Sequence, residues 1–415
     1  MRKVAAALAY ALLLVRLLPA QDQDRDSREL FNEIPKILAI LSDITGWKNP
    51  KPVPADIITR DQLHRFIVDR MKEQMKPEDV RIEDLTLKMF GLVPRDFDLQ
   101  KATVDLLTEQ AAAFYDYNKK RLFILETQSS LAEKRIALVH ELAHALADQN
   151  VSLKKYIRQG SSSDDGETAR EAVMEGQATW LMWAYTSKIG GGAGEPPDMA
   201  LKLLGSASQA AETQYPVFAN APLYMRESLI FPYTSGLLFQ NAIFKRDGKE
   251  SFDEVFKKAP GSTQQILHPE KYIEGVAPAD PKTPEPPHAR RYRELAEGNV
   301  GEFDHSLLLR QYGEDAGEAA KFASHWRGGS YRLLETKKDK NEHVLCYAVE
   351  WDSPEMARTY FGLYEKVLRG KWKTMKVSTR TDGVLSGAGD NGQFVVRLNG
   401  NTVSSLEGLA DDAVN

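Results

Sequence analysis

The sequence predicts a mainly helical α+β protein, a helix-rich body followed by a small C-terminal α+β module. Three observations carry this. Apolar residues recur at helical spacing through most of the first 260 positions. Beyond about residue 330, short β-type runs take over around a single helix. Between the two textures, residues 277–287 hold five prolines and read as a linker. The chain has 415 residues, enough for two or three domains. Its apolar share of 42% and charged share of 27% are those of a folded globular protein rather than a disordered one. A net charge of −5 with no long basic stripe argues against nucleic acid as a partner. A single cysteine, Cys346, excludes an intramolecular disulfide and any multi-cysteine metal cluster.

Residues 1–20 read as a cleavable signal peptide. Arg2 and Lys3 precede an apolar run from Val4 to Val15, and the small Ala20 closes the segment. Arg16 interrupts the run, so an uncleaved anchor is the alternative. The expected location is exported, periplasmic or extracellular. No later segment is long and apolar enough for stable membrane insertion after signal cleavage. Residues 21–98 form an expected N-terminal helical region, with apolar spacing over 27–43, 59–75 and 85–92. In the next region, 99–276, a helix over 99–113 leads into a hairpin. Its arms are Ala113-Phe114-Tyr115 and Arg121-Leu122-Phe123-Ile124-Leu125, flanking a polar tip. This hairpin is either part of the core sheet or an edge that pairs with an extended peptide. A long helix is expected over 130–148 and another over 168–187, separated by the Ser-rich loop 159–166. A linker over 277–288 and a module over 289–415 complete the chain. The module's strands are expected at 331–335, 343–350 and 392–398, with a helix over 354–369.

The helix over 130–148 contains His140-Glu141-Leu142-Ala143-His144. At about 100° per residue, the two histidines stand one turn apart on one face, where both imidazoles reach a single metal ion. Glu141 projects beside them, placed to take a proton from an activated water. Zinc suits two imidazoles, a carboxylate and a water, and lowers that water's pKa to about 7. The plain alternative is a helix with two satisfied histidines and no metal. A third ligand is required, and Asp148, Asp164, Glu171 and Glu175 are candidates. Asp148 could instead orient the His144 imidazole, or terminate the helix.

Glu175-Gly176-Gln177-Ala178 on the following helix resembles the Glu-Gly-x-Ala setting of the third zinc ligand in gluzincin metallopeptidases. That resemblance implies a zincin-like catalytic domain over 99–276 and one Zn2+ per chain, held by His140, His144 and Glu175. Glu141 would be the general base. Thirty residues separate His144 from Glu175, more than in the best-known gluzincins, and Glu171 one turn earlier is the competing ligand. The stretch also resembles a group of exported bacterial proteins. The matching pieces are Phe114-Tyr115-Asp116, residues 140–149, Phe231-Pro232-Tyr233-Thr234-Ser235-Gly236, Ser262-Thr263 and residues 268–272. Gluzincins add a Tyr or His after the zinc glutamate to stabilise the oxyanion, which implies Tyr233 in its Pro-Tyr-Thr-Ser-Gly turn, His268 or Tyr224. The expected function is an exported zinc-dependent peptidase acting on a peptide or protein substrate. A binding or scaffold protein that retains the fold without catalysis is the alternative, and zinc-dependent hydrolysis of another substrate a weaker one. The other histidines have no ligand spacing, Trp180 and Trp183 read as core, and oligomeric state is open.

Overall fold

Several of the long helices begin where the sequence supplies a side chain for the free N–H groups of the first turn, at Thr59, Asp98, Ser130, Ser163 and Ser353. The computed structural model describes residues 29–48, 50–126, 130–159, 163–197, 199, 201 and 207–411. The expected signal peptide, 1–20, lies outside the described residues. No helix among them is long and apolar enough to cross a membrane. The architecture is mixed α+β and mainly helical.

Four helices open the body: α1 (Ile34–Thr45), α2 (Arg60–Gln74), α3 (Pro77–Phe90) and α4 (Leu99–Gln110). A three-stranded sheet follows, with β1 (Ala55–Ile58) parallel to β3 (Arg121–Leu125) and β2 (Ala113–Asp116) antiparallel to it. The expected hairpin is β2–β3, and β2 is an edge. Helix α5 (Leu131–Val151) carries the His-Glu motif. Ser130 accepts from the Glu133 N–H, and the Glu133 carboxylate accepts from the Ser130 N–H, a reciprocal cap that fixes where the helix starts. Helix α6 (Asp164–Ile189) is capped by the Ser163 hydroxyl, and Asp164, Asp165 and Glu167 in its first turn suit the positive end of its dipole.

Helix α7 (Leu223–Asp247) packs along α6. It contains Phe231-Pro232-Tyr233-Thr234-Ser235-Gly236, which the sequence presents as a turn. The stretch is helical instead. Pro232 forfeits one backbone bond, and Gly236 serves a helix contact rather than a turn. A Cβ on Gly176 would lie 2.1 Å from the Gly236 carbonyl carbon, and one on Gly236 would lie 2.1 Å from the Ala172 carbonyl oxygen. The two glycines let α6 and α7 touch backbone to backbone. Beyond α7, the short helix α8 (Thr263–Leu267) leads toward the module.

The module is a seven-stranded antiparallel sheet in the order β4-β5-β6-β10-β9-β8-β7. Its strands are β4 (Tyr292–Asn299), β5 (Trp326–Thr336), β6 (His343–Trp351), β7 (Met375–Arg380), β8 (Val384–Gly389), β9 (Gly392–Asn399) and β10 (Thr402–Leu409). Helices α9 (Glu302–Gln311) and α10 (Pro354–Lys371) accompany it. The Pro-rich segment lies beside the start of β5: the Ala279 N–H donates to Arg327 O at 2.7 Å, and Arg332 reaches Thr283 and Glu285. Module and body meet through polar groups that are partly or wholly buried. Asn299 accepts from the Asp165 N–H at 2.8 Å and donates to the Ser163 hydroxyl at 2.7 Å, and the Tyr331 hydroxyl donates to Asp164 at 2.9 Å. Lys371 donates to Glu407 at 2.6 Å and to Met89 O at 2.9 Å, with both charges almost wholly buried.

Candidate metal centre

His140 and His144 project from one face of α5 toward Glu175 on α6. The His140 Nε2 and His144 Nε2 atoms are 3.1 Å apart. Glu175 Oε2 lies 3.0 Å from the first and 3.2 Å from the second. Four tetrahedral donors at zinc–nitrogen and zinc–oxygen distances stand about 3.3 Å from one another. The three donors therefore already have the spacing that one small cation requires. They are buried, with relative exposures of 3%, 4% and 1% for His140, His144 and Glu175. This group could hold a metal ion.

The electrostatics agree with a site built for positive charge. Burial favours the neutral form of Glu175, yet His144 and His140 outweigh it and hold the carboxyl well below the usual range. Burial lowers His140, which stays neutral and able to ligate. At His144 burial acts in the same sense, but Glu175, Glu141 and Asp148 outweigh it and raise the imidazole. Glu141, fully buried, follows His140 directly on α5.

Tyr233 comes to the same place. Its ring lies at 30° to the His140 ring with centroids 5.9 Å apart, and its hydroxyl is hydrogen-bonded to the Glu175 carboxylate. Burial, then the charges of Glu175, Glu171 and Glu141, push the phenol far up, so it stays a proton donor. The helix crossing explains the placement: Glu175 immediately precedes Gly176, and Tyr233 is one turn before Gly236.

The other candidates go elsewhere. His268 meets Glu302 at 2.7 Å, and Glu302 also accepts from Gln264, so the bonds of His268 run to the module rather than to the His–His–Glu group. Tyr224 is buried on the wall of a cavity facing the module. Asp148 ends α5: it accepts from the Leu153 N–H at 3.0 Å, and its other oxygen accepts from the Tyr115 hydroxyl at 2.9 Å and from Lys120. Asp148 thus ties the β2–β3 hairpin to the histidine helix. Glu171 stays outside the His–His–Glu group. Asp164 instead accepts from Tyr331. Trp180 is core, donating to Asn241.

Sequence reasoning missed the Gly176–Gly236 contact. A glycine in each of two helical stretches was the available signal, but the pairing is visible only in three dimensions.

The fold and this group define a helix-rich α+β protein with a buried His–His–Glu cluster on adjacent helices. Among known families, residues 290–415 match a domain of unknown function, DUF8575, which is the C-terminal module. No curated protein and no solved structure matches the chain.

Proposed function

We propose that this protein is an exported zinc-dependent peptidase of the gluzincin kind. The observation that carries the reading is the convergence of His140, His144 and Glu175 within about 3 Å of one another, with Glu141 on the same helix. These three side chains would hold the zinc. When bound, it would supply a Lewis acid that makes water nucleophilic near neutral pH. Glu141 takes the proton of the attacking water and returns it to the departing amine. Tyr233 donates its hydroxyl hydrogen to the carbonyl oxygen as negative charge develops there. His140 is kept neutral by burial, and Tyr233 by burial and the surrounding carboxylates, as these roles require. Asp148 holds the hairpin against α5, so the edge strand β2 stays beside the helix that carries the base.

The test is metal content and hydrolysis measured together. Wild type should retain one zinc per chain, and His144→Ala and Glu175→Ala should lose it. Glu141→Gln should keep the metal and lose turnover. Peptidase activity surviving in Glu141→Gln would sink the mechanism, and a wild type that takes up no zinc would sink the reading altogether.

A second reading has one observation behind it. With Glu141 at 0% exposure and the three ligands at 4% or less, the site is covered, as in a binding protein that retains the fold without catalysis. Stoichiometric zinc with no hydrolysis of any peptide would favour it.

A further inference from the structure

The seam between body and module holds a cavity of about 190 Å3. Helix α3 supplies one wall, and Asp164 at the start of α6 and Tyr224 near the start of α7 complete the body's share. Strands β4 and β5 supply the module's share. Along α6, Asp164 stands about 16 Å from Glu175, so the cavity is separate from the candidate metal centre. A bulge shapes the β4 wall. The β4–β5 register shifts between Glu294 and Ala296, which leaves Leu295 as the extra residue. Successive side chains of a regular strand face opposite sides, yet Leu295, Ala296 and Glu297 all line the cavity.

The lining carries one sign of charge. Asp79, Glu83, Asp164 and Glu297 contribute carboxylates, and among the described residues no lysine, arginine or histidine lines the space. The bases of α3 are engaged elsewhere, Arg81 with Glu78 and Glu335 and Lys88 with Asp84. Asp79 and Glu297 are exposed and mark the mouth. The rest of the wall is aromatic and apolar. Phe90 and Tyr331 stand edge to face, with centroids 5.5 Å apart and planes at 87°, so the two rings form a corner. Tyr331 also donates its hydroxyl hydrogen to Asp164 at 2.9 Å, which sets a carboxylate beside that corner. A cation is attracted to ring faces as well as to carboxylates.

We propose that this cavity binds a small organic cation, an ammonium or guanidinium on a short apolar body, drawn in by the carboxylates and seated against Phe90, Tyr331 and Leu295. A metal ion does not fit. Among the described residues, the group whose ligand atoms lie close enough together for one is His140, His144 and Glu175, and the acids of the cavity form no such group. A cavity of about 150 Å3 holds one benzene molecule, so this one takes roughly eight non-hydrogen atoms. The site goes beyond the peptidase reading and stands whether or not the chain hydrolyses peptides. Body and module each supply walls, so its occupant joins the two. Two sources supply the cation: a free amine, or the side chain of a lysine or arginine in a peptide.

The full chain is titrated calorimetrically with three probes. They are benzylamine, benzyl alcohol, which keeps the size and loses the charge, and a lysine blocked at both its amino and carboxyl ends. One of the two amines should bind once per chain, about tenfold tighter than benzyl alcohol, and should raise Tm. Glu83→Gln combined with Glu297→Gln should weaken that amine about tenfold and leave benzyl alcohol unchanged. Ala296→Leu, which fills part of the space, should weaken both. Benzylamine binding tighter than the blocked lysine assigns a free amine, and the reverse order assigns a peptide side chain.

No saturable binding of either amine, benzyl alcohol matching the better amine, or an amine affinity unchanged by the paired glutamine substitutions would overturn the proposal. Unchanged amine binding in a folded Ala296→Leu chain would also overturn it, by placing the amine elsewhere on the surface. Circular dichroism checks that each variant folds. Should Ala296→Leu fail to fold, the paired glutamine variant decides, and Glu297→Gln alone, at the exposed mouth, should still weaken the amine severalfold.

Discussion

A methyl group added at Gly236 probes the crossing that brings Tyr233 to Glu175. In Gly236→Ala the new Cβ would lie 2.1 Å from the Ala172 carbonyl oxygen and 3.1 Å from Gly176 Cα. A carbon–oxygen contact settles at about 3.3 Å, so α6 and α7 must part by roughly 1 Å. The obstacle is helix backbone, which has no rotamer to yield. The cost therefore belongs near the upper end of the overpacking range, about 3 kcal/mol. Replacing a helical glycine by alanine returns up to about 1 kcal/mol, leaving a net loss of about 2 kcal/mol. Gly362, inside α10, is the control: a Cβ there meets nothing within 4 Å. Gly362→Ala should stabilise by about 0.5–1 kcal/mol. Urea denaturation of the two variants, measured side by side, should give midpoints displaced in opposite directions from wild type. If the peptidase reading holds, a shift of about 1 Å in Tyr233 should also cut turnover by up to about a hundredfold. Wild-type stability in Gly236→Ala, or both variants moving the same way, would refute the close-contact argument.

Three further outcomes are expected. Zinc at a hundred times its dissociation constant should stabilise the chain by about 2.7 kcal/mol, seen as a rise in Tm that a chelator reverses and Glu175→Ala lacks. Lys371→Met strands the buried Glu407 carboxylate and should cost about 3–5 kcal/mol by chemical denaturation; pairing it with Glu407→Leu should recover most of the loss. Burial pushes the Cys346 thiol up to about 12, so at pH 8 it stays protonated and should resist disulfide-exchange reagents until the protein unfolds. Rapid labelling of the native chain would contradict its place in the sheet.

The elements that announce themselves in sequence are those whose stability is local. Helix α5 is legible because Ser130 and Glu133 cap it and its apolar spacing runs unbroken, and the β2–β3 hairpin because two apolar arms flank a polar tip. The two histidines of the candidate metal centre are legible because one helical turn alone brings His140 and His144 together. What resisted reading depends on distant partners. Strand β1, only Ala-Asp-Ile-Ile, is held by pairing with β3 some 65 residues away. Of the module's seven strands, β4, β7, β8 and β10 went unseen. Two of these are sheet edges rich in polar residues, and β10 buries Glu407, whose cation comes from α10. Tyr233 was legible as a residue but not in its setting: Pro232 and Gly236 signal a turn, and only the neighbouring helix makes that glycine a contact point. His268 was drawn toward the site by type alone, whereas its bonds follow Glu302.

The contact between the module and α6 bears on the order in which the chain is made. Ser163, Asp164 and Asp165, at the start of the helix that carries Glu175, find their partners in Asn299 and Tyr331. A ribosome that has released only the body has therefore delivered this helix without those partners. The helix start gains them once β4 and β5 have emerged. A chain stopped at the Pro-rich segment would carry His140, His144 and Glu175 and still leave the first turn of the Glu175 helix without these partners.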